Sequence, residues 1–172
     1  FCRQSYLTAM NELSNHDHSR FLTRTNGRVG RTASAGPRMA GVGVNQAAMR
    51  AGVMIQMTWT GAPTIYYGDE AGVCGWTDPD NRRTYPWGAE DTELIRFHKE
   101  AIRIHKDYDA LRAGTLIYLI CEDGLIGFGR YDKKDKFFIL VQAGGGYRKV
   151  EVPVWRLEVN DGEFMATMLR SD

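Results

Sequence analysis

The sequence predicts an α/β layer followed by an antiparallel β domain. Two observations carry this. Up to about residue 112, short apolar runs alternate with stretches whose apolar residues recur at helical spacing. After Gly114 the pattern changes to β-rich runs parted by turn residues. The order strand, loop, helix, strand, loop, helix and then β fits the last two βα units of a (β/α)8 barrel, over 1–112. An antiparallel β-sandwich C-terminal domain would then occupy 113–172.

Each element has its own justification. Residues 1–17 read as a helix end and a short strand around Met10–Ser14. Residues 25–43 are rich in Gly, Arg, Ser and Thr without periodicity and read as loop. Over Val44–Trp59 the residues Val44, Ala47, Ala48, Ala51, Met54, Ile55 and Thr58 share one helical face, and Asn45 can cap its start. Gly61 and Pro63 stop that helix, and the uncharged run Pro63–Tyr67 reads as a buried strand, with Tyr66 and Tyr67 inside it. Residues 69–90 form a long loop of the kind that is usually functional. Asp91 caps a second helix with Leu94, Phe97, Ala101, Ile104, His105 and Tyr108 on one face, ending near Leu111; His98 and His105 are packing residues. Four or five strands follow, with hairpin turns at Asp123-Gly124 and Lys133–Asp135 and the last strand near 148–159.

Composition sets limits on function. A chain of 172 residues suits one domain, or one domain and part of another. The 22 basic and 21 acidic residues nearly cancel and no long block of one sign appears, so neither nucleic acid nor an anionic membrane is implied. No run of about 18 apolar residues offers a spanning helix. Cys2, Cys74 and Cys121 lack zinc-type spacing and are odd in number, which reads as three reduced thiols and fits a cytoplasmic setting. The start at Phe1, inside a mixed segment, is that expected of a piece of a longer protein, whose targeting signal would lie elsewhere.

The polar clusters fall where strands end. Asn15, His16 and Asp17 follow the first strand, with Arg20 close behind; Asp69 and Glu70 follow the second. Working groups of a (β/α)8 barrel stand at those ends. "LSNHDHSRFLTR", "GAPTIYYGDEAG" and "DPDNRRTYPW", in that order, resemble the α-amylase family of retaining glycoside hydrolases, and within it the neopullulanase, cyclomaltodextrinase and maltogenic amylase group. The resemblance covers about residues 6–112. It implies that Asp17 stabilises the distorted sugar in the transition state and that His16 donates a hydrogen bond to the same sugar. Asn15 either touches substrate or only orients the turn. Arg20, also counted among the substrate-binding candidates, either pairs with an active-site carboxylate or lies in a solvated helix start. Asp78, Asp80, Arg82 and Arg83 are candidates for an outer sugar subsite. Trp76, Tyr85 and Trp87 stack on sugars or form a small core, and Asp69 and Glu70 hold the loop.

The same resemblance puts the family's nucleophile and acid/base on earlier barrel strands, outside this chain. The parent would act on α-1,4 or α-1,6 glucosidic bonds in maltodextrin, cyclodextrin or pullulan, and the 172-residue chain alone would be inactive. Alternatives are a transglycosylase or an isomaltose- or sucrose-type hydrolase of the family, and a non-catalytic sugar-binding or interaction module derived from the barrel. No cofactor is called for. A structural calcium in the parent draws no support from this segment, which holds no dense oxygen-ligand loop. Open strand edges are expected to make the chain self-associate.

Overall fold

The computed structural model describes residues 3–144 and 166–170. Helix α1 (Arg3–Thr8) leads into strand β1 (Met10–Glu12). Two short helices, α2 (Phe21–Arg24) and α3 (Thr32–Ala35), and a 3-10 turn (Pro37–Gly41) precede the long α4 (Gln46–Thr58). Strand β2 (Ala62–Thr64) follows and pairs in parallel with β1, Met10 opposite Ala62. A parallel pair needs a crossover, and α4 lies within it. A second 3-10 turn (Asp80–Arg82), α5 (Thr92–Asp107) and α6 (Asp109–Arg112) complete the first part. Strands β3 (Thr115–Glu122), β4 (Leu125–Tyr131), β5 (Lys136–Gln142) and β6 (Ala166–Arg170) form one antiparallel sheet in chain order.

Local chemistry explains the boundaries. Asn45 accepts the Ala48 N–H at 3.0 Å and Asp91 the Leu94 N–H at 2.9 Å, so both long helices start on side-chain caps. Gly124, at φ +70°, makes the tight β3–β4 turn. Asp132 accepts from the Lys134 and Asp135 N–H groups, both at 2.7 Å, and so closes the β4–β5 hairpin.

Helix α4 is covered on two sides. Ala51 packs with Ala110, Leu111, Phe128, Phe137, Ile139 and Val141, a cluster shared between helices and sheet. Met49, Val53 and Met57 pack on the other side with Leu22, Leu94 and Ala101. The buried face is therefore wider than the one read from small-residue spacing, and it leaves Ala47 and Ala48 only half-buried. Gly52 lets α2 approach: a Cβ there would lie 2.6 Å from Phe21 Cε1.

Several expectations are corrected. The segment 25–43 is not all loop; it holds α3 and the Pro37–Gly41 turn. The second strand spans three residues rather than Pro63–Tyr67, and it is not buried: Ala62 is exposed and Tyr67 is 43% exposed. Extended backbone at Tyr108 (φ −122°, ψ 119°) ends α5 early and sets α6 apart. The strand expected at 148–159 lies outside the described residues, as does Cys2; Cys74 and Cys121 are free thiols.

Candidate functional site

Two loops leave the C-terminal ends of the parallel pair, and they are built into one another. The first runs from Ser14 to Arg20. Asn15 Oδ1 accepts from the Asp17 N–H at 2.9 Å and the His18 N–H at 3.2 Å, and its Nδ2 donates to Glu12 Oε1 at 2.6 Å. The Asn15 amide is thereby spent on the turn. The turn projects His16 and Asp17 outward, with side chains 58% and 67% exposed and Nε2 3.3 Å from Oδ1.

The second loop presents Asp78 and Arg82 as an exposed ion pair, with Asp78 Oδ1 accepting from Arg82 Nε. That bond and the Asp78 charge raise the Arg82 pKa; Tyr66 and Asp17 add to the effect. Asn81, between Asp78 and Arg82 in sequence, bonds the carbonyls of Asn15 and His18, so the two loops lie side by side and offer Asp17, His16, Asp78 and Arg82 on one exposed rim.

Arg20 is not on that rim. Its side chain has no exposure. Nε donates to Asn81 O at 2.8 Å, and Nη1 to Tyr67 O at 2.5 Å and Asp69 Oδ1 at 3.0 Å. The guanidinium lies 4.4 Å and 4.8 Å from the ring centres of Tyr66 and Tyr67. Of its two expected settings, it takes the pairing with a carboxylate, and that carboxylate is the buried Asp69. The expected substrate contact is corrected, because an enclosed guanidinium cannot reach a sugar. Burial pushes the Asp69 carboxyl up from its ordinary value, against the bonds from Ser14 and Arg20 that pull it down.

Asp80 is corrected in the same way. Its Oδ2 accepts from the Trp76 N–H at 2.8 Å and Arg83 Nη2 at 2.7 Å, and its Oδ1 from Arg83 Nε at 3.2 Å. Burial would raise its pKa, but the Arg83 and Trp76 bonds and the Arg83 charge outweigh it and hold the carboxyl below its usual value. Asp80 and Arg83 shape the loop and have few valences left for ligand.

Asn81 was missed by the sequence reading. It is fully buried, and its Nδ2 donates to His18 O at 2.8 Å and Asn15 O at 3.3 Å. Together Arg20 and Asn81 stitch the Asp17 loop to the Asp78–Arg82 loop. Gly75 permits the approach: its carbonyl accepts from the Arg20 N–H at 2.9 Å, and a Cβ on it would lie 2.7 Å from Asn81 Cα. Trp76 is a buried peg, 1% exposed, whereas Trp87 is 83% exposed beside Tyr85, ring centres 4.5 Å apart. Glu70 bonds the Tyr85 hydroxyl, and Asp69 holds Arg20, so both hold the loop. Among the described residues no three of His, Cys, Asp and Glu gather as a metal site would require.

Residues 2–113 match the α-amylase catalytic domain family. The chain belongs to the α-amylase family. It is 38% identical over 137 residues to an amylopullulanase of Thermoanaerobacter thermohydrosulfuricus, covering 77% of this chain and 9% of that protein. It is 38% identical over 108 residues to neopullulanase 2 of Thermoactinomyces vulgaris, covering 62% of this chain and 16% of that one. A solved cyclomaltodextrinase superposes with a TM-score of 0.74 at 29% identity, over 91% of this chain and 24% of that structure. The α-amylase-family chain thus spans a quarter or less of each of these relatives.

Proposed function

We propose that this chain is the C-terminal part of a retaining glycoside hydrolase acting on α-1,4 or α-1,6 glucosidic bonds of maltodextrin, cyclodextrin or pullulan. Residues 1–112 would supply the last two βα units of its (β/α)8 barrel, and 113–172 its C-terminal β domain. The observation that carries this is the rim itself. An exposed Asp17 beside His16 follows β1, and Asn81 ties its turn to the loop after β2 that carries the Asp78–Arg82 pair.

Asp17 has an exposed carboxylate with oxygens open to sugar hydroxyls. In that role it binds the ring more tightly as the ring flattens and gains positive charge. His16 donates to the same sugar. Asp78 and Arg82 hold the next sugar outward, and Asn15 orients the turn. The nucleophile and the acid/base belong to the preceding strands of the parent.

Assaying the full-length parent against pullulan, cyclodextrin and starch, beside the 172-residue chain, tests this. Hydrolysis by the parent and none by the chain is the expected result. Turnover by the purified chain that vanishes in Asp17→Ala would show a complete site within it. A parent inactive on all three glucans would remove the assignment.

A further inference from the structure

Charge along this chain is balanced overall but not locally. From His18 to Gly68 there are six arginines and no Asp, Glu or Lys. Five arginines after this stretch are matched locally: Arg82, Arg83, Arg96, Arg103 and Arg112 each pair with a carboxylate three or four residues away. Among the described residues Arg28, Arg31 and Arg38 pair with none, and all three are exposed.

The segment that carries them is fastened to the candidate site. Trp76 Nε1 donates to Gly36 O at 3.0 Å, and Arg83 Nη2 to Pro37 O at 2.6 Å. Asp80 bonds the Thr32 side chain. Gly30 lies over the Trp76 ring so closely that a Cβ would sit 3.1 Å from it. The loop bearing Asp78 and Arg82 and the arginine segment are therefore one continuous surface.

We infer that Arg28, Arg31 and Arg38 form an anion-binding extension of the sugar site, and that the ligand is an α-glucan carrying phosphomonoester groups. This rests on the proposed glucan site. A phosphomonoester brings about 1.5 to 2 negative charges at neutral pH and three strong acceptor oxygens. Guanidinium forks match those oxygens in pairs, which an ammonium does not. The neutral sugars of one chain meet Asp17, Asp78 and Arg82, while a phosphate further along reaches the arginines.

Titrating the 172-residue chain with four probes, followed by NMR of the arginine side chains and of the Asp17 and Asp78–Arg82 amides, tests it. The probes are a neutral maltodextrin, a phosphorylated one of equal length, inorganic phosphate, and a poly-glutamate peptide. At about 50 mM salt the phosphorylated dextrin should bind about 10-fold tighter than the neutral one. The gain should shrink to within about 2-fold at 0.5 M salt, where charges are screened beyond about 4 Å. The triple variant Arg28→Gln, Arg31→Gln, Arg38→Gln should lose the gain but keep neutral-dextrin affinity and its melting temperature.

Equal affinity for the two dextrins overturns the inference and leaves the glucan site standing. Inorganic phosphate bound as tightly as the phosphorylated dextrin overturns it in favour of a bare anion site. Poly-glutamate bound more tightly overturns it in favour of an acidic protein partner. Binding of the phosphorylated dextrin with no change at Asp17 or Asp78–Arg82 overturns it together with the glucan site.

Discussion

Asp17 and Arg20 lie three residues apart and have opposite fates, one two-thirds exposed and the other enclosed. The difference dictates what each substitution should do. Asp17→Asn keeps shape and removes the charge that the proposed role sets beside a developing cation, and loss of one preorganised contact typically costs about 10²–10³ in rate. In the full-length parent, kcat should fall by that factor while the melting temperature stays put; near wild-type kcat would sink the role. Arg20→Met should instead act on stability. It leaves Asp69 buried without its partner, and breaking a buried pair costs about 3–5 kcal/mol. Urea denaturation of the 172-residue chain should show the loss, and Arg20→Lys should not restore it, because the three donors of an ammonium spring from one atom and do not reproduce the spread of Nε and Nη1 toward Asn81 O, Tyr67 O and Asp69.

Loops and helices respond on a different footing. Asp80 organises its loop as an anion, with a folded-state pKa below the unfolded one. Below the unfolded pKa of about 3.9 the unfolded chain binds more protons than the folded one, so this stability is complete above that pH and lost as pH falls through the folded value. Thermal melts from about pH 5 to pH 2 should show a flatter acid limb in Asp80→Asn than in the wild type; parallel limbs would contradict this. Asn45→Ala removes the cap of α4 and should cost about 1 kcal/mol.

How far the sequence was legible follows the same divide. Periodicity and cap residues located α4, α5 and the hairpins because those signals are local. The short β2 was misjudged because an apolar run such as Pro63–Tyr67 looks the same whether it continues a strand or, as here, bends to flank Arg20. Asn81 was missed and the enclosure of Arg20 was not foreseen because their partners lie 47 to 66 residues away, and no local pattern announces such a bond. Asp17 and His16 were legible as candidates through their motif, whereas the roles of Asp80 and Arg83 became plain only from the fold.

At the scale of the molecule, the parallel pair is narrow: β1 and β2 pair only with each other among the described residues. Each presents an outer edge, and Met10 and Tyr6 nearby are 65% and 53% exposed. Open edges and exposed apolar groups recruit other chains. Sedimentation at micromolar concentration should show a dimer or larger species; a strictly monomeric, well-folded chain would contradict that.

The cluster around Ala51 and Phe128 joins the helices to the sheet, and the fully buried Arg130 of β4 adds a polar tie, Nη1 donating to Thr58 O at the end of α4 at 2.5 Å. A cut in the chain between Arg112 and Ala113 is therefore not a seam in the solid. Anyone shuffling segments between this protein and its relatives at that point would separate a guanidinium from the helix end it serves and strip Phe128 of Trp59. The sheet shares its core with α4 and α6, so a boundary drawn at residue 113, where the family match ends, divides a packed unit.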